Sequence, residues 1–392
     1  MDKQDKKRLL VILPRVPWPL EKGDKLRAYH QLRILSRYFE LHLFALNEGP
    51  VHPEAFRQLS PLFKSLHFFP LTLASRILNV GLAWLRGWPL QVGYFYNYYA
   101  HQKLKQITAL QQAEYIYAQL ARTAPYAVGI DAFRTLDLQD AFAAGIQRRT
   151  TKAAWYLRPF LRMEFRRMQS YEAKLLERFD QLTIISEADR NLIDSPDKER
   201  IGIVPNGVDT AFFQPLKKAH TTEIVFTGNM AYPPNIDAAR FLVQEIMPFV
   251  WAEKPETRVV IAGAFPHAEV RALAGSRVKV TGWVDDIREA YASARLFIAP
   301  MRIGTGMQNK LLEAMAMEIP CITTPLANQP IGTAPGKEVR VAETPGDLAT
   351  HILELLDDPE SARAMAEAAA AFVREKYSWE GATAHLVSLF PG

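Results

Sequence analysis

Gly304 and Gly306 are followed closely by Lys310 and Glu313, and Arg302 stands just ahead of them. The apolar residues Leu296 to Ala299 before this stretch read as a strand, and the helix formers from Met307 to Met317 after it read as a helix. At helical spacing Lys310, Glu313 and Met317 share one face, so a cation and a carboxylate project on the same side of the first turns. Glycines free the backbone of the turn. Bare N–H groups at a helix start, backed by the positive end of the helix dipole, form an anion site. A diphosphate would rest on that start between Lys310 and Arg302, and ribose hydroxyls would donate to Glu313, a division of labour that suits a nucleotide sugar. The same letters also spell a glycine turn followed by a surface Lys–Glu pair worth about 0.2–0.5 kcal/mol.

Composition fits such a ligand and removes several others. The chain has 392 residues, 48% hydrophobic and 23% charged, long enough for two α/β domains. A single cysteine, Cys321, excludes an internal disulfide. Its place in an apolar run suggests a buried thiol in a reducing compartment. The nine histidines are scattered without ligand spacing, so neither a metal nor a cofactor is expected. The first seven residues carry five charges and no signal-peptide core, which makes the cytoplasm the expected location. The net charge of +5 hides an imbalance: residues 1–200 carry 30 Lys and Arg against 20 Asp and Glu, and residues 201–392 carry 17 against 22. A basic first half points to an anionic partner there, whether a phosphate-bearing acceptor, a membrane surface or nucleic acid.

The elements that would position these groups follow an α/β rhythm. Leu9 to Leu13 is a continuous apolar run, the pattern of a buried parallel strand. A proline-rich loop then leads through Gly23 to a helix that starts with Asp24, Lys25, Leu26 and Arg27, placing Lys25 and Arg27 for phosphate. Leu41 to Leu46 completes a βαβ unit, which requires a right-handed crossover and a parallel sheet. Residues 71–104 are rich in Leu, Trp, Tyr and Phe but too interrupted to span a bilayer. They suit a flap over an acceptor cleft, simple core, or an amphipathic segment lying on a membrane with Arg on one side and Trp and Leu on the other. Tyr115 to Ala118 and Thr135 to Leu138 read as strands, with Asp137 and Asp140 near the end of the second. These two carboxylates would meet an acceptor, or else merely end a strand and cap a helix. Trp155 to Phe179 reads as a long helix with Arg158, Arg162 and Arg166 on one face. Nucleic acid fits that face poorly, because no known nucleic-acid motif accompanies the patch.

Pro205-Asn206-Gly207 is a turn and marks the linker. Beyond it the strands Ile224 to Thr227, Val259 to Ala262, Val278 to Thr281 and Leu296 to Ala299 alternate with helices, and Gly228, Gly263, Gly282 and Gly304 follow the strand ends. A parallel sheet binds ligands at the carboxyl ends of its strands, so these glycines would let backbone approach a ligand along one edge.

Together Pro205-Asn206-Gly207-Val208-Asp209, Phe226-Thr227-Gly228, Gly282-Trp283-Val284-Asp285-Asp286 and Gly304-x-Gly-x-x-x-Lys-Leu-Leu-Glu-Ala-Met-Ala resemble the retaining glycosyltransferases of family 4, which have the GT-B fold. Within that family the chain is most similar to bacterial sugar transferases of exopolysaccharide clusters, which share a Lys-Gly-Asp-Lys-x-Arg loop like Lys22 to Arg27. The resemblance implies two Rossmann-like domains facing each other across a cleft: an acceptor domain over 1–200, a nucleotide-sugar donor domain over 201–377, and a last helix over 378–392 crossing back. It implies that Glu313 binds ribose, that Gly304, Thr305, Gly306 and Met307 meet the diphosphate and sugar, and that Trp283 and Val284 touch the base. Gly23, Lys25, Gly228 and Gly263 complete the donor set, and Arg27, Asp137 and Asp140 form a weaker acceptor set.

Three departures qualify the resemblance. Thr305 stands where many members have a second glutamate, Asn229 to Asn235 lacks the usual Arg and Lys, and Glu318 stands where a helix-ending glycine is usual. If position 318 needs a positive φ, the substitution costs about 1 kcal/mol. The expected reaction is retaining, metal-independent hexosyl transfer from a UDP- or GDP-sugar to a polysaccharide or lipid-linked acceptor, with Lys310, Arg302 and Glu313 at its centre. Front-face substitution is its expected course, in which fixed positive charge stabilises the leaving diphosphate. Two other uses of the same residues stay open: epimerisation of a UDP-sugar on the same fold, and sugar-nucleotide binding without turnover.

Overall fold

The computed structural model describes residues 6–20, 23–303 and 307–391. The chain divides into two compact units, Met1–Pro205 with Ala382–Gly392, and Asn206–Gly381, so the divisions fall after Pro205 and Gly381 rather than after 200 and 377.

In the first unit seven parallel strands, β1 (Arg8–Leu13), β2 (Glu40–Asn47), β3 (Ser65–Pro70), β4 (Tyr115–Gln119), β5 (Phe133–Gln139), β6 (Gln181–Ile184) and β7 (Gly202–Ile203), lie in the order β3-β2-β1-β4-β5-β6-β7. Both sheet faces are covered, and β1 shows why its run is unbroken. Leu10 and Ile12 enter one core cluster, while Leu9, Val11 and Leu13 enter another on the opposite face. Leu386 and Phe390 from the chain end join the second cluster, and the Tyr115 hydroxyl donates to the Pro391 carbonyl at 2.6 Å.

A buried polar knot ties this sheet to the linker. Arg27, in the helix Gly23–Tyr38, donates to both oxygens of Asp137 at 2.7 and 3.2 Å, and also to the carbonyls of Val204 and Pro205. Tyr117 and Thr183 donate to the same carboxylate at 3.1 Å each. Arg27 and Asp137 are about 1% and 0% exposed. These residues therefore do not form the acceptor surface expected of them, because each already satisfies the other away from solvent.

The expected basic helix is Arg158–Leu175, preceded by a separate helix, Phe142–Lys152. Two acidic residues of the longer helix reach across to cap its neighbours. Glu164 accepts from the Leu90 N–H at 2.6 Å, and Glu172 accepts from the Phe142 N–H at 2.7 Å. Burial pushes the Glu172 carboxyl up to about 8. Asp140 is not the cap of the 142–152 helix, since that place is taken from a distance by Glu172.

The second unit repeats the plan with β8 (Thr222–Thr227), β9 (Val259–Ala262), β10 (Val278–Val280), β11 (Ala294–Ala299), β12 (Cys321–Thr323) and β13 (Arg340–Val341), in the order β10-β9-β8-β11-β12-β13, all parallel. Each order is that of a doubly wound sheet. In such a sheet the crossovers reverse direction between two neighbouring strands, and a crevice opens at the carboxyl ends there. In this unit those neighbours are β8 and β11.

Glu318 ends the helix Asn309–Ala316 with φ 56°. Its N–H donates to the Met315 carbonyl and the Ile319 N–H to the Ala314 carbonyl, the paired bonds of a Schellman motif. A side chain in this left-handed position is strained, and the salt bridge from Arg374 at 3.4 Å is exposed and offsets little.

Two stability outcomes follow. Glu318→Gly is expected to raise unfolding free energy in urea by about 1 kcal/mol. Asp137→Ala leaves Arg27 buried without its partner and is expected to cost about 3–5 kcal/mol in the same measurement. A loss below about 1 kcal/mol would mean that the knot does not hold the sheet together.

Candidate active site

Lys310 and Glu313 stand one turn apart on the 309–316 helix, which follows β11 and whose start carries no side-chain cap. Hydrophobic residues on the other side of the helix, Leu311, Leu312 and Met315, are buried in the unit's core and fix its rotation. Lys310 and Glu313 are therefore turned toward the crevice between β8 and β11, and both are half-buried.

The lysine ammonium donates to the side-chain oxygen of Asn235 and lies 4.8 Å from the centre of the Phe226 ring. Asn235 is itself fixed, because its amide nitrogen donates to the Asn229 carbonyl at 2.9 Å. Desolvation lowers the Lys310 pKa to about 8, with Glu313 pulling the other way. Glu313 accepts from the Tyr291 hydroxyl at 2.7 Å. That hydroxyl also meets Thr227 Oγ1 at 2.8 Å, so the carboxylate is held by a chain that starts at the end of β8. Burial pushes the Glu313 carboxyl up, while Tyr291 and Lys310 oppose the shift. The result is one ammonium and one carboxylate, each held by a neutral partner, at the end of a parallel sheet.

Gly228 and Gly263 line the same edge and are required there by the protein's own atoms. A Cβ on Gly263 would lie 1.8 Å from the Gly228 carbonyl oxygen, and one on Gly228 would lie 2.7 Å from the Asn235 amide and 3.1 Å from the Lys310 ammonium. Their φ values are 155° and 141°, so the close backbone approach is of the two strand ends to each other. Gly228 also gives Lys310 and Asn235 the space in which they meet.

Arg302, expected as a second phosphate cation, is engaged by two carboxylates. Its guanidinium forks onto Asp237 at 2.9 and 3.2 Å, reaches Glu245 at 3.0 Å and lies over the Phe241 ring at 4.1 Å. Two carboxylates already neutralise it, and the Asp237 hydrogen bond leads in raising its pKa.

The other expected residues are spread more widely. Trp283 is 70% exposed after β10, with its indole N–H on Asp285 at 3.1 Å, and Val284 packs against the core beside it. Met307 packs against the same core. Gly304, Thr305 and Gly306 lie outside the described residues. Gly23 and Lys25 begin the 23–38 helix of the first unit, where a Cβ on Gly23 would meet nothing within 4 Å. Asp140 follows Gln139, a left-handed residue with φ 66°, at the carboxyl end of β5. Desolvation and then Asp189 push its carboxyl up, against Arg122 and Arg148. Asn235, Tyr291 and Thr227 were invisible as site residues in the sequence, since each acts only through a partner distant along the chain.

Residues 221–358, which hold all of Lys310, Glu313, Tyr291 and Asn235, match the model of the glycosyl transferases group 1 family. Over nearly its whole length the chain is 22% identical to a 44.6 kDa protein in the cps region of Klebsiella pneumoniae, covering 94% of this chain and 96% of that one. A GDP-mannose-dependent monoacylated alpha-(1-6)-phosphatidylinositol monomannoside mannosyltransferase of Corynebacterium glutamicum is 30% identical over 202 residues, 45% of this chain and 52% of its own. Among solved structures, HepE of Anabaena with UDP and glucose superimposes with a TM-score of 0.66 at 13% identity, covering 97% of this chain and 98% of its own. Sucrose-phosphate synthase from Thermosynechococcus elongatus does so with a TM-score of 0.68 at 14% identity, covering 98% of both chains. The chain therefore has the GT-B fold, and its residues 221–358 form a glycosyl transferases group 1 domain.

Proposed function

We propose that this protein transfers a hexose from a nucleoside diphosphate sugar to a polysaccharide or lipid-linked acceptor, with retention of anomeric configuration, at the cytoplasmic face of a membrane. The observation that carries the reading is the pairing of Lys310 and Glu313 on one helix at the strand-end crevice, with neutral partners and no bond to each other. In this reading the diphosphate takes the place beside Lys310 and the uncapped helix start, and ribose hydroxyls donate to Glu313. Tyr291 keeps that carboxylate aimed, and Asn235 keeps the lysine off the carboxylate until a phosphate arrives. Charge on the leaving diphosphate grows as the glycosidic bond breaks, so the fixed ammonium favours the transition state. The reading assigns the counter-charge to Lys310 and the helix start rather than to a metal ion. A UDP-bound structural neighbour and a GDP-mannose-dependent relative support a nucleotide-sugar donor and leave the base open between UDP and GDP.

Isothermal calorimetry with a panel of UDP- and GDP-sugars tests the donor. Binding of one of them, with slow release of retained-configuration sugar, is expected, and absence of binding to all would overturn the reading. Binding with a 2-epimer as product would instead make the protein an epimerase, and binding with no product in the presence of acceptor lysate would make it a non-catalytic partner.

The two charged residues separate in kinetics. Glu313→Ala is expected to raise donor KM by the equivalent of about 1.5–3 kcal/mol, with little change in kcat, because its bond to ribose is the same before and during reaction. Lys310→Ala is expected to lower kcat by roughly 10²–10³-fold. Wild-type kcat in that variant, with an unchanged melting temperature, would show that Lys310 does not face the diphosphate.

The lowered pKa gives a second test with two opposite slopes. An ammonium that titrates near 8 holds a diphosphate fully below that pH, so donor affinity is expected to fall as pH rises through 8. Lys310→Arg flattens that profile. In the unliganded protein the sign reverses, because the unfolded lysine, with pKa of about 10.4, keeps its proton over a range where the folded one has lost it. The contribution of this group to stability therefore rises with pH between about 8 and 10.4. Calorimetric titrations and urea melts at pH 7, 8 and 9 check both slopes.

A further inference from the structure

The helix Leu73–Leu85 in the first unit is turned inside out. Its one charged residue, Arg76, faces inward, where it pairs with Glu48 at 3.4 Å and lies over the Tyr94 ring at 5.3 Å. Its aliphatic residues face solvent instead: Ile77 is 66% exposed, Leu78 64% and Leu85 81%. Arg76 thus lies on one side of this helix and the aliphatic residues on the other. The surface continues onto the start of the 158–175 helix, since the Trp84 ring stacks on Phe160 with centroids 6.0 Å apart and planes at 12°. Arg167 lies over the same indole and donates to the Trp84 carbonyl. Trp155, 80% exposed, and Tyr156 stand at the head of that helix. Seven large apolar side chains along these two helix segments exceed the scattered exposure of an ordinary soluble surface.

Beside this patch lies a cleft of about 490 Å³ between the 142–152 and 158–175 helices, lined by Gln147, Thr150, Arg158, Arg162, Phe165 and Arg166. Among the described residues no carboxylate pairs with any of these three arginines, whereas Arg8, Arg15, Arg27, Arg76, Arg134 and Arg190 of this unit each have one. Uncompensated guanidinium groups next to a floor of aliphatic and indole side chains match the two layers of an anionic bilayer, phosphodiester above and acyl chain below. A second copy of the chain would bring the same positive charges face to face, which disfavours self-association through this surface. No helix among the described residues is long and apolar enough to cross the membrane, so contact would be from one side.

We infer that this surface docks the protein on a bilayer of anionic phospholipid, with Leu78, Leu85 and Trp155 entering the interface and Arg158, Arg162 and Arg166 gripping headgroup phosphates. The inference deepens the membrane location in the proposed function, but it uses residues of the first unit alone and does not depend on Lys310 or Glu313. Its test is flotation of the full-length protein with vesicles of phosphatidylcholine alone or with 30% phosphatidylglycerol added, a proportion of about one lipid in three, at low and high salt. Recovery with the anionic vesicles at low salt only is the expected result. The triple variant Arg158→Gln, Arg162→Gln, Arg166→Gln is expected to lower partitioning by about 100-fold, and Leu78→Asp with Leu85→Asp by at least about 10-fold. Both variants change exposed side chains and should keep wild-type donor binding in calorimetry, which separates loss of docking from loss of fold. Equal recovery with neutral and anionic vesicles, or unchanged flotation of both variants, would overturn the inference. So would a dimer in sedimentation velocity that Leu85→Asp converts to monomer without vesicle binding, which would make the patch a self-interface. Binding of inorganic phosphate in the arginine cleft without flotation would likewise replace the bilayer by a soluble anion.

Discussion

An ammonium and a carboxylate held half out of water on one helical turn set the terms for everything around them in the second unit. Removing either charge from solvent is costly unless each keeps hydrogen bonds. The simplest remedy would be a direct bond between Lys310 and Glu313, and the structure does not take it. Asn235 serves the ammonium and Tyr291 serves the carboxylate, and both are neutral. Neutral partners satisfy the groups without cancelling their charge, so each pKa stays shifted by burial. A site arranged in this way is poised to gain more from an incoming anion and an incoming hydroxyl than a closed salt bridge would be.

The first unit shows the alternative. There Arg27 and Asp137 also lie on a helix and a strand of a doubly wound sheet, but they bond to one another, and Tyr117, Thr183 and two linker carbonyls fill their remaining places. Such a knot fixes where the chain leaves the unit and has nothing left for a ligand. A cation–carboxylate set of this kind is thus closed when its members bond to one another and open when their partners are neutral. Arg302 belongs to a closed set, since its two carboxylates hold a guanidinium that sequence position alone assigns to phosphate.

What was legible in the sequence was what short-range physics sets. The strand runs Leu9 to Leu13 and Val259 to Ala262 are continuous because both faces of a parallel sheet are covered, and they read correctly. Lys310 and Glu313 share a face through helix periodicity alone. Glu318 was legible as a strained helix end because the Schellman geometry belongs to the chain segment itself. The partners were not legible. Asp237 and Glu245 stand 65 and 57 residues before Arg302, and Tyr291 stands 22 before Glu313, distances along the chain over which no local pattern carries information. The inward turn of Arg76 was hidden for the same reason, since Glu48 follows the end of β2 and lies 28 residues away. Glycines 228 and 263 were seen in place, but their need for each other's backbone was not, because a residue required by a neighbouring backbone looks the same in sequence as one required by a ligand.

The uneven charge of the two halves can be located by subtraction. Within the first unit Arg15 meets Asp24 and Glu48, Arg27 meets Asp137, Arg76 meets Glu48, Arg134 meets Asp180, and Arg190 meets Glu187 and Glu199. These pairs are spread over the ends of β1, β2, β5 and β6 and contribute little field at a distance, since each is close to neutral. The excess over residues 1–200 therefore falls on lysines and on arginines with no such partner, and Arg158, Arg162 and Arg166 place three of these cations on one helix face. A field of one sign concentrated beside an exposed aliphatic stripe acts over about a Debye length, roughly 8 Å at physiological salt. That range is short enough to require contact and long enough to orient the unit as it approaches a charged surface. Charge that looked diffuse in composition is in the folded unit a directional property, and its direction is set by which arginines the fold has already neutralised.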